Sequence, residues 1–288
     1  MNKEYPIATG EIDRHRLEIL HSLYAPVTQQ FLIACGLKSG MTILEFGCGM
    51  GDMSCWFAQY TGESGKVIAI DNSQESLAIA KNKAIAKNIK NIEFLCMDVY
   101  DIESLNQKFD FIYGKWVLMH LFAPQDVLVK LYNVLNQNGI LAYEDIDKLG
   151  QGYFSYPEQL VIENLFTVGT PFYLQRSQRP AGQTRLGPGL DNMKHSFLRS
   201  SGIETGIKLF FDFKKLGLHN LSLQVNQPIL ITKEQKSVIR LGAQVARESI
   251  YSSFSAIEFN EIINELIKME NNNSIVGYNR NIIASGRR

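Results

Sequence analysis

The 288-residue chain has no excess charge and no long apolar run. Its 29 basic and 29 acidic residues give a formal net charge of +0, so nothing global draws it to nucleic acid or to an anionic membrane. No apolar run approaches the roughly 20 residues that a membrane span needs. Residues 1–6 also lack the apolar core of a signal peptide. We therefore expect a cytoplasmic protein without a membrane partner, and we disfavour nucleic acid as its substrate.

Cysteine is scarce as well. The four cysteines show no C-x-x-C spacing, and the five histidines do not cluster with them; the cysteines are Cys35, Cys48, Cys55 and Cys96. Disulfide frameworks and zinc sites need such clusters. We predict reduced thiols and no metal site.

From residue 41 onward, short apolar runs alternate with segments of helical spacing. Strands are predicted at 41–46, 66–71, 91–97, 109–114 and 139–146. Helices are predicted between them at 52–60, 74–88 and 124–136. This alternation predicts right-handed crossovers and a parallel sheet, which is an α/β doubly wound fold. Ser73 is the expected cap of the second helix.

We expect four segments along the chain. They are an N-terminal helical segment at 1–40, the core at 41–147, an irregular insert at 148–200 and a C-terminal part of the core at 201–288. The first contains a helix over 11–35, for which Pro26 predicts a break. In the insert, a helix is predicted within 157–168. The last segment is expected to contain a helix at 203–216, a strand at 219–229, a helical insert at 232–272 and a final strand at 275–286.

Residues 43–52 carry the most specific pattern, a strand that runs into a glycine loop of the form E-x-G-x-G-x-G and then into a helix. The second strand, 66–71, ends in an acid. A strand, a glycine turn, a helix and an acid-tipped strand together bind a nucleoside across the ends of a parallel sheet. Dinucleotide sites have the spacing G-x-G-x-x-G, whereas the third glycine here comes one residue earlier. A nicotinamide-dependent oxidoreductase is therefore the weaker interpretation.

Particular residues follow from this pattern. Glycines at positions 47, 49 and 51 can take positive φ and bring bare backbone against a ligand. Asp71 can accept hydrogen bonds from both ribose hydroxyls, and Asp98, after the third strand, can accept from an adenine amine. Met97 and Val99 would flank the adenine ring. The structural alternatives are a plain tight turn for the glycines, a helix cap for Asp71 and a turn residue for Asp98.

These successive strand ends resemble the class I S-adenosylmethionine-dependent methyltransferases over about residues 1–147. The resemblance is strongest to small-molecule methyltransferases, through Tyr5, the helix start Asp13-Arg14-His15-Arg16-Leu17 and the run Val117-Leu118-Met119-His120-Leu121. It implies a Rossmann-like, seven-stranded, mostly parallel sheet whose last strand is antiparallel and lies beside the sixth, with helical inserts that form a substrate cap. It also implies S-adenosyl-L-methionine as cofactor and S-adenosyl-L-homocysteine as product.

The resemblance implies a set of cofactor-binding residues. They are Tyr5, Arg16, Glu45, Gly47, Cys48, Gly49, Gly51, Asp71, Asn72, Met97, Asp98, Val99 and Lys115. The N-terminal segment would fold over the cofactor, with Tyr5 shielding the sulfonium and Arg16 pairing with the methionine carboxylate. Glu45 would accept a hydrogen bond from the cofactor amino group, and Lys115 lies where such folds pass the methionine end. A solvated helix arginine is the alternative for Arg16.

Methylation by an activated sulfonium needs alignment and exclusion of water more than a fixed catalytic dyad. If a base is needed, it should project from the end of the fourth or fifth strand. The candidates are His120, Tyr143, Glu144 and Asp145. A packed histidine is the alternative for His120.

The acceptor is expected to be a small molecule, aromatic or anionic, because the insert at 148–200 is rich in aromatic and basic residues. The alternative for that insert is a solvated loop. A protein that binds the cofactor without turnover is the second functional alternative, and a homodimer is left open.

Overall fold

The computed structural model describes residues 13–147, 154–156, 208–247 and 254–288. The predictions for Tyr5, for the helix at 157–168 and for nearly all of the insert at 148–200 lie outside the described residues.

The described chain contains ten strands and seven α-helices. The strands are β1 (Thr42–Phe46), β2 (Lys66–Asp71), β3 (Ile92–Cys96), β4 (Phe109–Lys115), β5 (Leu135–Ile146), β6 (Phe154–Tyr156), β7 (His219–Asn226), β8 (Ile229–Leu230), β9 (Ile275–Gly277) and β10 (Asn281–Arg287). The helices are α1 (Arg14–Cys35), α2 (Asp52–Thr61), α3 (Gln74–Ala86), α4 (Pro124–Asn133), α5 (Lys208–Lys215), α6 (Lys233–Val245) and α7 (Ala256–Asn271). Short 3₁₀ helices follow β3 and β4, at Val99–Leu105 and Leu118–His120.

Seven strands form the central sheet in the order β3-β2-β1-β4-β5-β10-β7. The first five are parallel to one another, and β10 lies antiparallel between β5 and β7. The predicted fold is therefore confirmed, including the antiparallel last strand beside the sixth. The order reverses at β1 and β4, and a doubly wound sheet binds ligands outside the carboxyl ends of its strands at such a point.

Two predictions about local structure are wrong. The run 275–286 is not one strand, because β9 pairs with β6 and β8 in a separate three-stranded sheet while β10 enters the central sheet. Residues between them are held elsewhere: Tyr278 is buried in a separate core, and Arg280 pairs with Asp147 at 2.6 Å. Both strands contain short apolar runs, Ile275-Val276 and Ile282-Ile283-Ala284, so composition alone could not separate them.

Pro26 does not break the first helix, which runs unbroken through it. A proline removes one helical hydrogen bond, but buried residues on both sides hold this helix in place. Tyr24 and Thr28 are fully buried, and the Tyr24 carbonyl accepts from Thr28 Oγ1 at 3.0 Å and Asn226 Nδ2 at 3.0 Å. The predicted cap is confirmed, since Ser73 Oγ accepts from the Ser76 amide at 3.2 Å.

The described residues form three apolar cores, two of which cover the faces of the central sheet. One face packs against α1, α2 and α3, and the other packs against α4 and α5. A third core joins the first half of α1 to α6, α7, β8 and β9. Helix α1 therefore connects the sheet to the α6–α7 layer. Within the described ranges, no helix is long and apolar enough to cross a membrane, and no histidine, cysteine or carboxylate cluster could hold a metal ion.

Candidate active site at the carboxyl edge of the sheet

The glycine loop between β1 and α2 has the positive φ angles that its sequence predicts. They are +66° at Gly47, +52° at Gly49 and +72° at Gly51. A Cβ added to Gly47 would lie 2.1 Å from Val117 Cγ2, and one added to Gly51 would lie 2.8 Å from the Ala80 Cβ. A Cβ added to Gly49 would meet nothing within 4 Å. Two glycines thus serve packing, whereas Gly49 presents bare backbone to open space.

Asp71, at the end of β2, holds this loop. Its Oδ2 accepts a hydrogen bond from the Gly49 amide at 2.8 Å, and its Oδ1 accepts from the Ser73 amide at 2.9 Å. Burial raises the carboxyl pKa, and the backbone donors act against this rise. Each oxygen of a carboxylate can accept a second hydrogen bond. The predicted alternative of a helix cap does not apply, because Ser73 caps the helix that follows. Asp71 instead holds the glycine loop, and its oxygens can still accept hydrogen bonds from ligand hydroxyls.

Glu45 lies beneath the loop, 4% exposed, and accepts a hydrogen bond from the Ser54 hydroxyl. Burial raises its pKa to about 8. The Ser54 hydrogen bond lowers the pKa, whereas the nearby charges of Asp52 and Asp71 raise it further. The carboxyl is therefore mainly neutral at pH 7.

Asp98 begins the 3₁₀ helix that follows β3. Its side chain is exposed and accepts from the Tyr100 amide at 3.0 Å. Next to it, Met97 is half-buried and donates its amide to the Asp71 carbonyl at 3.0 Å, while Val99 is buried. The residues predicted to contact adenine thus lie beside Asp71, which ends the neighbouring strand β2.

Two further predicted residues join the loop to these strands. The Cys48 amide donates to the Ile70 carbonyl at 3.0 Å, and burial raises the pKa of the Cys48 thiol well above its usual range. The Asn72 carbonyl accepts a weak hydrogen bond from the exposed Cys96 thiol at 3.7 Å. Both contacts involve the backbone of the predicted residue, and they join the glycine loop and the end of β2 to neighbouring strands.

Glu144 on β5 is buried and surrounded by donors. Its Oε2 accepts from Thr28 Oγ1 at 2.7 Å and from the Tyr113 hydroxyl at 3.1 Å. Its Oε1 accepts from Asn281 Nδ2 at 2.7 Å and lies 3.4 Å from Lys115 Nζ. The Glu144 side chain therefore joins α1, β4, β5 and β10 through these four contacts.

Lys115, at the end of β4, has its ammonium between two aromatic rings. Nζ lies 4.4 Å from the Tyr24 ring centroid and 4.3 Å from that of Trp116. Burial lowers the lysine pKa, and the Glu144 carboxylate acts against this. The ammonium is partly held by cation–π attraction. Trp116 itself has φ +55°, a conformation that costs a bulky residue energy and is typical of functional sites.

Tyr143 and Asp145 form a clamp on the segment after β4. The fully buried Tyr143 hydroxyl accepts from the amides of Val117 at 2.8 Å and Leu118 at 2.7 Å. It donates to Asp145 Oδ2 at 2.8 Å, and burial raises its pKa well above the usual range. Asp145 Oδ1 accepts from the Ile146 amide at 2.8 Å. These contacts favour a positioning role for both residues.

His120 and Arg16 lie in different surroundings. His120 is half-buried on the 3₁₀ helix that the Tyr143 clamp anchors. Arg16 forms two hydrogen bonds with Asp13, of which the one from Nε is 2.6 Å long. Its charge also acts on the phenol of Tyr278 in the third core. Its predicted contact with a cofactor stays a prediction.

Sequence reasoning missed the polar face of α1. His21, Tyr24 and Thr28 are spaced three and four residues apart, so they lie along one helix face. Burial lowers the pKa of His21, the Asp52 charge raises it and Lys115 lowers it again. The spacing was a usable signal. The sequence contained no signal for Trp116, because no residue pattern predicts a positive φ at a tryptophan.

Comparison with known proteins agrees with this geometry. A family model described as "Methyltransferase domain" matches residues 37–170. A methyltransferase of Schizosaccharomyces pombe is 28% identical over 177 residues, which are 59% of this chain and 63% of that protein. Phosphoethanolamine N-methyltransferase 3 of Arabidopsis thaliana is 39% identical over 90 residues, 31% of this chain and 17% of that protein. The chain thus spans less than two thirds of each of these two relatives.

Two longer matches extend the comparison. A demethylmenaquinone methyltransferase of Listeria monocytogenes is 23% identical over 75% of this chain and 95% of its own length. The solved YcgJ protein of Bacillus subtilis superposes with a TM-score of 0.54 at 15% identity, over 90% of this chain and 97% of its own, and shows the fold alone. From the glycine loop, the strand order and the family match together, the domain at residues 37–170 belongs to the class I S-adenosylmethionine-dependent methyltransferases.

Proposed function

We propose that the chain transfers a methyl group from S-adenosylmethionine to an oxygen, nitrogen or carbon nucleophile of a small molecule. The observation that carries this proposal is the open face of Gly49, whose amide is held by Asp71 while the flanking glycines are packed shut. A nucleoside with a bulky sulfonium tail needs this kind of close approach to backbone beside a carboxylate. The residues present therefore fit the cofactor.

We propose the cofactor roles on the geometry of each residue. Asp71 accepts the ribose hydroxyls with its remaining acceptor positions. Asp98, with Met97 and Val99, borders the adenine. Glu45 lies at the methionine end of the loop and accepts from the amino group.

Three more roles at the methionine end are proposed from the resemblance. Arg16 supplies a cation for the methionine carboxylate, Lys115 lies at the methionine end of the cofactor, and Tyr5 shields the sulfonium. Backbone groups of Cys48 and Asn72 complete the set.

When bound, S-adenosylmethionine supplies a methyl group that is already activated for transfer. The chain then has to orient the nucleophile and exclude water. Helix α1 and the α6–α7 layer pack in the third core together with Trp116, which follows the end of β4. Where the nucleophile carries a proton, we propose His120 as its acceptor, because it lies on the short 3₁₀ helix that follows the end of β4.

A small-molecule acceptor, aromatic or anionic, is supported by the buried aromatic rings and the lysine at this edge. The names of two relatives give demethylmenaquinone and phosphoethanolamine as the acceptors of those proteins. All four cysteines are free thiols, which fits the reducing cytosol that we propose as the location.

Two measurements test the proposal. S-Adenosylmethionine is expected to raise the melting temperature, whereas NADH is not, and stabilisation by NADH alone would overturn the cofactor assignment. Release of S-adenosylhomocysteine is then measured over phenolic, amine and carboxylate acceptors. Tight cofactor binding with no release on any acceptor would favour the alternative of a binding protein without turnover.

A further inference from the structure

The segment that follows β4 turns at Trp116 and directs two backbone amides at one oxygen. Trp116 has φ +55°, and Val117 returns to φ −103° and ψ −54°. Neighbouring left- and right-handed residues point their successive amides at a common acceptor. Here that acceptor is the Tyr143 hydroxyl, which receives the Val117 amide at 2.8 Å and the Leu118 amide at 2.7 Å. The backbone of Val117 is therefore held in place by β5.

The Tyr143 hydroxyl is itself fixed at this position. It donates to Asp145 Oδ2 at 2.8 Å, so its single donor is used. The Tyr143 ring is fully buried and stacks on Phe46 with 5.8 Å between centroids and 10° between planes. Phe46 is the last residue of β1, directly before Gly47. The hydroxyl could not move without leaving two backbone amides unpaired, which is costly inside a protein.

The Val117 side chain fills the space that a side chain at position 47 would need. A Cβ added to Gly47 would lie 2.1 Å from Val117 Cγ2, 3.4 Å from its Cβ and 3.6 Å from its Cγ1. Gly47 has φ +66°, and a glycine can leave such a conformation as easily as it adopts it. Val117 is therefore a steric wall that restricts the conformations open to Gly47.

The glycine loop is thus held from two sides. On the side of β2, the Cys48 amide donates to the Ile70 carbonyl at 3.0 Å, and the Gly49 amide donates to Asp71 Oδ2 at 2.8 Å. On the side of β4, the loop meets Val117 at its first glycine. A loop that is already held in its binding conformation loses less conformational entropy when a ligand binds.

We propose, on the basis of the proposed cofactor binding, that Val117 is a positioning residue for S-adenosylmethionine. Tyr143 and Asp145 hold the Val117 backbone. The Val117 side chain restricts Gly47, so the glycine loop is preformed for the cofactor. The Val117 carbonyl also accepts from the His120 amide at 2.9 Å. One clamp on β5 therefore positions both the cofactor loop and the short helix that carries the proposed proton acceptor.

Val117→Ala is the first test, because it removes the two methyl groups that face Gly47 and keeps the backbone amide. The dissociation constant for S-adenosylmethionine, measured by calorimetry, is expected to rise about fivefold or more, within the range that networks of packed side chains transmit. Val127→Ala is the matched control, since it removes the same atoms from a fully buried valine of α4. It should lower the melting temperature at least as much and leave the dissociation constant unchanged. Val117→Ile keeps Cγ2 and should keep the affinity of the natural protein.

A double-mutant cycle tests the path from Tyr143. Tyr143→Phe removes the hydroxyl that holds Val117 and should also raise the dissociation constant. If Tyr143 acts through Val117, the double variant should bind S-adenosylmethionine about as weakly as the weaker of the two single variants. Multiplied effects would overturn the role of Tyr143. The comparison of Val117→Ala with Val127→Ala does not depend on the stability of the Tyr143 variant.

Unchanged affinity in Val117→Ala, or equal losses of affinity in Val117→Ala and Val127→Ala, would overturn the proposal. The second result would show that the valine serves only the fold. Binding of NADH in place of S-adenosylmethionine by the natural protein would contradict the proposed function. An NADH affinity that falls in Val117→Ala and not in Val127→Ala would still support the positioning of the loop by Val117.

Discussion

Glu45→Gln should abolish a large pH dependence of stability. The carboxyl is buried and accepts the Ser54 hydroxyl, and its pKa in the folded protein is about 8 against a usual 4.5. The folded state therefore keeps a proton that the unfolded state releases. Below pH 4.5 both states are protonated and the stability contribution is complete. It is lost as pH rises from about 4.5 to about 8.

The size of the effect follows from linkage. Each pKa unit corresponds to about 1.4 kcal/mol, so the whole loss is about 5 kcal/mol and about 2–3 kcal/mol of it falls between pH 5 and 7. Glutamine has the shape of the protonated acid and cannot ionise. We therefore expect the variant to gain stability relative to the natural protein by that amount over the same interval.

Urea unfolding followed by circular dichroism, at half-unit steps from pH 5 to 8, measures this difference. Contributions of other groups cancel when the two proteins are compared at each pH. Glu63→Gln, at an exposed glutamate, controls for the loss of a carboxylate. If the free-energy difference between Glu45→Gln and the natural protein stays constant across the range, Glu45 is ionised in the folded state and the reasoning fails.

Three further predictions concern the loop and the clamp. Gly51→Ala should lower the free energy of unfolding by about 2–3 kcal/mol, since it adds a steric clash to a positive φ. Gly49→Ala should lower it by about 1 kcal/mol and mainly weaken cofactor binding. Equal free energies of unfolding for the two variants would contradict this. Asp71→Ala should weaken S-adenosylmethionine binding by about 1–3 kcal/mol, and unchanged affinity in calorimetry would remove Asp71 from the site. Tyr143→Phe should destabilise the fold by about 2–4 kcal/mol by stranding two amides and Asp145; lost methyl transfer at full stability would instead make Tyr143 a catalytic residue.

The parts of the site that could be predicted are local in sequence. Glycine spacing in the loop predicted three positive φ angles because only glycine adopts them without strain. The strand ends at Glu45, Asp71 and Asp98 were predictable because parallel strands end at the same edge. The sequence could not tell which of these glycines is needed for packing and which faces open space. In the structure, Gly49 is the one that faces open space.

The contacts of the catalytic candidates at 143–145, by contrast, could not be predicted from the local sequence. Tyr143, Glu144 and Asp145 are ordinary strand-end candidates in the sequence. Their side chains alternate between the two faces of β5, so Glu144 faces α1 and the other two serve the segment after β4. Most of their hydrogen-bond partners lie far away in the sequence, so no local sequence pattern predicts them.

The sequence by itself determined the doubly wound sheet and the conformation of the glycine loop, because periodicity, glycine spacing and strand ends act over a few residues. The tertiary structure decided the surroundings of Lys115. There, Tyr24 meets Asn279 across 255 positions of chain, and Lys115 lies over rings from two different segments. Such contacts exist only once the β9–β10 linker and α1 have packed against the end of β4.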